Sequence, residues 1–302
     1  MVRLRVQSLE RAKEHLVRSG DTNIFPRPFE IDAIQHCWDE LRTELRATDV
    51  IQWKCEPERT CLTPKQRYSF RSATQIDPLD CLVLTALMLE LGGDIESLRL
   101  PASEGICFSH RFSPDERGRL YDPAIGYESF KRRTNALLRS RKTKFIVLAD
   151  IADFYPRLYL HPLENCLSQT HHRNHATAVL RMICAWNSGV SYGIPVGPRA
   201  VHLLAELCLD EIDRLLLDSR VRFCRYTDDY RIFARDAADA YTKLATLANN
   251  LYQSYGLTLQ PYKTEILSVD DFRARMAEER QSASGRYSRT MVSSTTPMTP
   301  LI

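Results

Sequence analysis

Two aspartates stand side by side in RYTDDY, residues 225–230, between tyrosines and flanked by the strand-forming runs VRFC and RIFA. A third aspartate, Asp150, ends the apolar run FIVLAD (145–150). That run suits a buried strand, and the flanks of RYTDDY suit a β-hairpin with the dyad at its tip. If strand and hairpin share one sheet, Asp150, Asp228 and Asp229 meet. The motif offers them no cationic partner, so the carboxylates repel, and hard divalent cations with oxygen ligands resolve that repulsion. Two magnesium ions held this way can activate an attacking 3′-hydroxyl and stabilise a leaving pyrophosphate. A tight turn is required, because adjacent side chains of a straight strand point to opposite faces. Each feature alone has a plainer reading: an Asp-rich turn for the dyad, a helix N-cap for Asp150.

The elements that must position these residues are legible as periodicity. Residues 1–50 read as helical with a break at FPRPFE, and EIDAIQHCWDELRTEL repeats apolar residues at helical spacing. LTPKQRYSFRSATQIDP (62–78) has strand and turn character, and LDCLVLTALMLELGG predicts a helix stopped by Gly92 and Gly93. GICFSHRF (105–112) predicts a strand. LENCLSQTHHRNHATAVLRMICAWNSG predicts mostly helix, YGIPVGP a loop, and RAVHLLAELCLDEIDRLLLD (199–218) an amphipathic helix. ADAYTKLATLANNLYQSYG predicts a helix ended by Gly256, and LTLQPYKTEIL a strand, a turn and a strand. From about residue 275 periodicity gives way to Ser, Thr and Pro, which predicts disorder. Helix pairs alternating with short strands imply an α+β domain with a helix-backed antiparallel sheet.

Composition sets outer bounds. The 302 residues suffice for one large domain or two ordinary ones. A net charge of +3 gives no whole-protein basic field, so any nucleic-acid affinity must come from local patches. The strongest patch is KRRTNALLRSRKTK (131–144), with seven basic residues and no acidic one. It is either a solvated helix face or the lining of a phosphate-binding groove. No apolar run is long enough to cross a bilayer, and the N-terminus lacks the apolar stretch of a signal peptide. Nine cysteines without a CxxC pair argue for reduced thiols, and hence for the cytoplasm.

Six segments, in order, resemble the motifs of the reverse transcriptases. LADIADFYPRLY (148–159) resembles the first catalytic motif, a metal-binding aspartate followed by an aromatic pair. GIPVGPRAVHLLAELCLDEID (193–213) is similar to the second, a Gly-Pro-Gly loop leading into a helix. FCRYTDDYRIF (223–233) resembles the Tyr-x-Asp-Asp hairpin, and LTLQPYKTEIL (257–267) the motif that follows it. Upstream, LTPKQRYSFR (62–71) and FSHRF (108–112) resemble two fingers elements. The resemblance implies a right-hand polymerase fingers-palm with an antiparallel palm sheet backed by helices, the thumb short or absent. It divides the chain into an N-terminal helical region (1–61), fingers (62–144), palm (145–272) and a short C-terminal tail (273–302).

Residue roles follow from the resemblance. Asp150 and Asp228, with Asp229 beside them and the carbonyl of Ile151, would hold two Mg²⁺ ions, with Mn²⁺ as an alternative. Tyr155 would lie under the incoming sugar and disfavour a 2′-hydroxyl; as a residue alone it is equally a core tyrosine. Lys65 and Arg71 would bind the triphosphate, Arg in bidentate fashion. Gly193, Pro195, Val196 and Gly197 would line the nucleotide site, and Lys263 would protonate or position pyrophosphate. Val196 departs from the polar glutamine of many retroviral relatives and cannot hydrogen-bond a nucleotide through its side chain.

The wording PVGPRA and RYTDDYRIF resembles bacterial abortive-infection and antiphage-defence enzymes. The expected reaction is RNA-directed DNA synthesis from RNA template, DNA or RNA primer and dNTP. A protein or RNA partner could supply the missing thumb function. Untemplated or protein-primed DNA synthesis and a catalytically weak RNA-binding scaffold are the alternatives. An RNA-directed RNA polymerase is disfavoured by Tyr155. His171 and His175, one helical turn apart, have zinc-binding spacing but no evident third ligand, so a polar surface face is the expectation. Trp38, Trp53 and Trp186 are expected in the core.

Overall fold

A computed structural model of the chain describes residues 1–22, 24–66, 69–187 and 189–279. Chain order runs α1 (Val6–Ser19), α2 (Glu30–His36), α3 (Trp38–Ala47), the hairpin β1 (Arg59–Gln66) and β2 (Ser69–Gln75), α4 (Pro78–Leu98) and α5 (Tyr127–Leu138). It continues through β3 (Phe145–Asp150), α6 (Phe154–Arg157), α7 (Leu160–Leu167), α8 (Arg173–Trp186) and α9 (His202–Asp218). The last elements are β4 (Arg222–Tyr226), β5 (Asp229–Ala234), α10 (Ala237–Tyr255), β6 (Glu265–Ser268) and α11 (residues 269–279). This is the expected α+β architecture, an antiparallel sheet backed by helices.

The sheet has strand order β4-β5-β3-β6, every pair antiparallel. Strand alternation gives it two faces. Val147, Ala149, Phe223, Tyr230 and Ile232 join the main core, against which α10 packs. Ile146, Cys224 and Phe233 form a second, smaller core with Phe130 and Leu138 of α5 and Val269 and Phe272 of α11. The main core is continuous from Val2 to Leu257. At its centre lies α4, whose residues 81–88 are buried without a break, as those of a helix enclosed by others must be.

Four local expectations are corrected. Helix α4 does not stop at Gly92 and Gly93 but runs on to Leu98, because Gly92 serves close packing. A Cβ there would run into the Phe112 ring. Residues 105–112 make only isolated bridges, Cys107 to Arg225 and Phe112 to Tyr121, with His110 at φ 47° curling the chain between them. In 257–267 only β6 is a regular strand; Leu259 makes a single bridge to Ile151, and Pro261–Lys263 is a short 3-10 turn. The tail expected to lose order near 275 is helical to 279, because Val269, Phe272 and Met276 recur at helical spacing against the second core. The rest of that tail lies outside the described residues.

Other expectations hold. The RYTDDY hairpin is β4 and β5, and α10 ends at Gly256, which takes the left-handed conformation of a C-cap at φ 62°. Trp38 and Trp186 are buried, and Trp53 packs against the main core while donating to Asp80 at 2.7 Å. All nine cysteines are free thiols. Among the described residues no helix is long and apolar enough to cross a membrane.

Candidate active site

The central strands bring the aspartates together. Asp150, last in β3, pairs in register with Asp229, first in β5, so both side chains leave the same face of the sheet. Asp228 sits in the turn before it, tied by Ile151 N–H donating to the Asp228 carbonyl at 3.2 Å. The turn depends on Thr227, whose φ of 52° is left-handed. Burial is the main reason the Asp228 and Asp229 carboxyls are pushed up, Asp229 to about 6. The charge of Asp150 raises both further. Carboxylate oxygens that burial and a neighbouring charge keep from ionising are of the donor type that a hard divalent cation takes.

The expectation of no cationic partner is corrected. Lys263 donates to Asp150 Oδ2 at 2.6 Å, and Arg231, two residues beyond the dyad on the same face of β5, lies 3.9 Å from Asp229 Oδ2. The Lys263 ammonium thus occupies a place beside Asp150 that a cation would take. Among the described residues, no group of three His, Cys, Asp or Glu is gathered for metal binding.

Beneath the hairpin lies an ionic network that the motifs do not announce. Arg225 is fully buried, and its Nε reaches both Asp213 oxygens at 2.8 Å. Its Nη1 donates to Glu206 Oε2 at 2.6 Å. Arg99, also buried, reaches the same Glu206 oxygen at 3.2 Å. Burial alone would raise the Glu206 carboxyl, but the Arg225 and Arg99 guanidiniums and His110 hold it well below the usual range. Ser109 donates to Glu206 and accepts from Thr227 N–H at 2.8 Å, which fixes the strained turn. The available signal was a set of acidic residues, Glu206, Asp210 and Asp213, at helical spacing within an apolar run, together with an arginine at an inward register position of β4.

In front of the hairpin is a cleft of about 790 Å³. It gathers Lys65 and Arg71 from the β1–β2 hairpin, Ile151 and Tyr155, Val196 and Gly197, and Asp228. Lys65 and Arg71 are exposed. Gly193 and Pro195 lie instead along a neighbouring pocket, which Val196 shares. Gly193 and Ile194 donate to the carbonyls of Leu158 and Tyr155, which seats the loop on the segment after Asp150. The Val196 carbonyl accepts from Thr74 N–H at 2.8 Å, so its main chain, not a side chain, ties the loop to β2. Gly197, at φ 148°, admits no side chain, since a Cβ would lie 2.6 Å from Thr22 Oγ1 and 2.8 Å from the Thr74 carbonyl.

The other candidates fall outside the cleft. Of the expected surface pair, His171 is exposed, whereas His175 is half-buried and pairs with the buried Glu90 at 2.9 Å; the intervening His172 pairs with Asp94 at 2.8 Å. Part of the basic run forms α5, where Lys131 pairs with Glu128 and Arg132 donates to Ser129.

The sequence matches the family described as "Reverse transcriptase (RNA-dependent DNA polymerase)" over residues 111–289, more than half of the chain. A solved apo telomerase from Candida tropicalis, truncated from its C-terminal domain, is similar with a TM-score of 0.50 at 14% identity. The match covers 79% of this chain and 55% of that one. A telomerase from Candida albicans, in complex with a fragment of telomeric RNA, gives a TM-score of 0.48 at 14% identity, covering 80% and 48%. The chain therefore spans about half the length of the telomerase chains it matches. At 14% identity the likeness is one of fold. No curated protein matches the sequence.

Proposed function

The chain belongs to the reverse transcriptase family, and from that premise we propose that it is an RNA-directed DNA polymerase. In the reaction a primer 3′-oxygen attacks the α-phosphorus of a deoxynucleoside triphosphate, a phosphodiester bond forms, and pyrophosphate leaves. The observation that carries this reading is the in-register meeting of Asp150 and Asp229 beside Asp228, which itself lines the cleft that holds Lys65 and Arg71. Asp150, Asp228 and Asp229, with the Ile151 carbonyl, would hold two Mg²⁺ ions, Mn²⁺ being the alternative. Such ions would stabilise the charge on the attacking and leaving oxygens. Lys65 and Arg71 neutralise the triphosphate, and Tyr155 crowds the 2′ position of the sugar. Lys263, released from Asp150, turns to the pyrophosphate.

Residues 62–144 serve as fingers, 145–272 as palm, and 1–61 as an N-terminal region. RNA template and DNA or RNA primer are the partners, held mostly through backbone and shape. A role in bacterial antiphage defence rests on the wording PVGPRA and RYTDDYRIF. A cytoplasmic setting rests on nine unpaired cysteines.

The test is deoxynucleotide incorporation by purified protein with Mg²⁺, with and without RNA template, beside Asp228→Asn. Template-dependent product that falls by ~10²-fold or more in the variant supports the reading, the scale expected when a group central to transition-state charge is lost. Product without template points to untemplated or protein-primed synthesis. RNA binding that survives in the variant, with no synthesis by the wild type, points to a scaffold.

A further inference from the structure

Tyr155 lies in α6, a four-residue helix entered through Asp153 at φ 46°, so local structure alone holds its ring weakly. What fixes it comes from elsewhere. Its hydroxyl is 2.8 Å from His202 Nδ1, and the two rings meet edge to face at 5.5 Å. His202 is the first residue of α9, and its ring stacks on His110 at 4.3 Å and 24°. His110 is held in turn: its carbonyl accepts from Arg99 at 2.9 Å, and its Nδ1 is 3.4 Å from Glu206 Oε1. The chain of contacts thus ends in the same buried network that fixes the catalytic hairpin.

We propose that His202 is the positioning residue that sets sugar selectivity: its imidazole, buttressed by His110, holds the Tyr155 hydroxyl and fixes the ring where the incoming sugar lies. The inference rests on the polymerase reading above. Burial, and then His110, lower His202, while burial raises the Tyr155 phenol. A neutral imidazole therefore accepts from a neutral phenol, with the His202 proton on Nε2. Position matters because of what lies behind. His110 and His202 also line a second cavity of about 480 Å³, together with Tyr121, Tyr226 and Arg199. His110, His202 and Tyr226 line both that cavity and the cleft and so stand between them. A tyrosine ring without its tether loses its fixed place in the cleft, and a ring that shifts there no longer blocks a 2′-hydroxyl.

The test compares kcat/KM for a deoxynucleotide and the matching ribonucleotide in wild type, His202→Phe, His202→Asn, Tyr155→Phe and the double variant. Phenylalanine keeps an aromatic ring between cavity and cleft and the stack on His110 but cannot accept the hydroxyl. Asparagine keeps an acceptor near Nδ1 without the aromatic ring. Selectivity should fall by roughly fivefold to tenfold in His202→Phe, the value of one ordinary hydrogen bond. It should stay near wild type in His202→Asn. Tyr155→Phe and the double variant should match His202→Phe, because all three lose the same bond. Selectivity in His202→Phe within about twofold of wild type, or losses that multiply in the double variant, would overturn the inference alone, since one bond is worth more than that factor. A wild type that incorporates neither sugar overturns it together with the polymerase reading.

Discussion

Replacing Arg225 with methionine should unfold the protein far more readily than its surface arginine neighbours would suggest. The guanidinium is fully buried and faces two carboxylates, Asp213 and Glu206, which are themselves fully buried. Methionine fills much of the volume but leaves those charges without their main partner. Glu206 keeps Arg99 at 3.2 Å, whereas Asp213 keeps only a 3.5 Å contact from the Tyr230 hydroxyl. Breaking a buried pair from one side costs about 3–5 kcal/mol, a large part of a total stability of roughly 5–15 kcal/mol. In a chain of this size that corresponds to a loss of roughly 5–8 °C in Tm.

The assay is urea unfolding followed by circular dichroism, at neutral and mildly acidic pH. The deficit should shrink as pH falls. Asp213 is already pushed up by burial, and without Arg225 it rises further. A folded-state pKa above the unfolded value means that the group stabilises the fold when protonated and ceases to as pH rises through that pKa. Adding Asp213→Asn to Arg225→Met should recover much of the loss at neutral pH. A single variant that loses less than about 1 kcal/mol would refute the reasoning, since the Asp213 charge would then have found water or another partner. Because Thr227 is tied to Glu206 through Ser109, any folded fraction of the single variant should also show weakened incorporation.

Three further outcomes follow from packing and burial. Gly93→Ala should stabilise α4 by about 0.5–1 kcal/mol, since nothing lies within 4 Å of the new Cβ. Gly92→Ala should destabilise by about 1–2 kcal/mol despite the same helix gain, because its Cβ meets the Phe112 ring; Phe112→Leu should reverse the sign, and thermal melts read both. His15 is buried with Nδ1 donating to the Gly118 carbonyl, and burial lowers it from 6.5 to about 4. The unfolded chain then binds the extra proton between those values, so stability is full above pH 6.5 and falls by up to about 3 kcal/mol as pH drops toward 4. Denaturation at stepped pH should show that slope in wild type and a flatter one in His15→Asn.

Much of the site was legible in the sequence because its signals are local. An apolar run ending in Asp150 and a dyad between two strand-forming runs define a strand and a hairpin whatever surrounds them, and both formed. The helix of 199–218 and the Gly256 stop were legible for the same reason: periodicity and a φ that favours glycine are properties of a few consecutive residues. The register that sets Asp150 opposite Asp229 was not, since pairing joins segments about eighty residues apart in the chain and depends on both faces of the sheet being covered. Gly92 shows the limit from the other side. Its local meaning is a helix stop, and only the approach of Phe112 from another segment reveals it as a packing position. The spacing of Glu206 and Asp213 and the inward place of Arg225 hinted at buried charge, but that these residues and Arg99 meet beneath the hairpin, and that His202 meets Tyr155, only the tertiary structure decided. Charged and polar residues read as surface until burial forces them to find each other, and burial is decided only when the whole chain has closed around them.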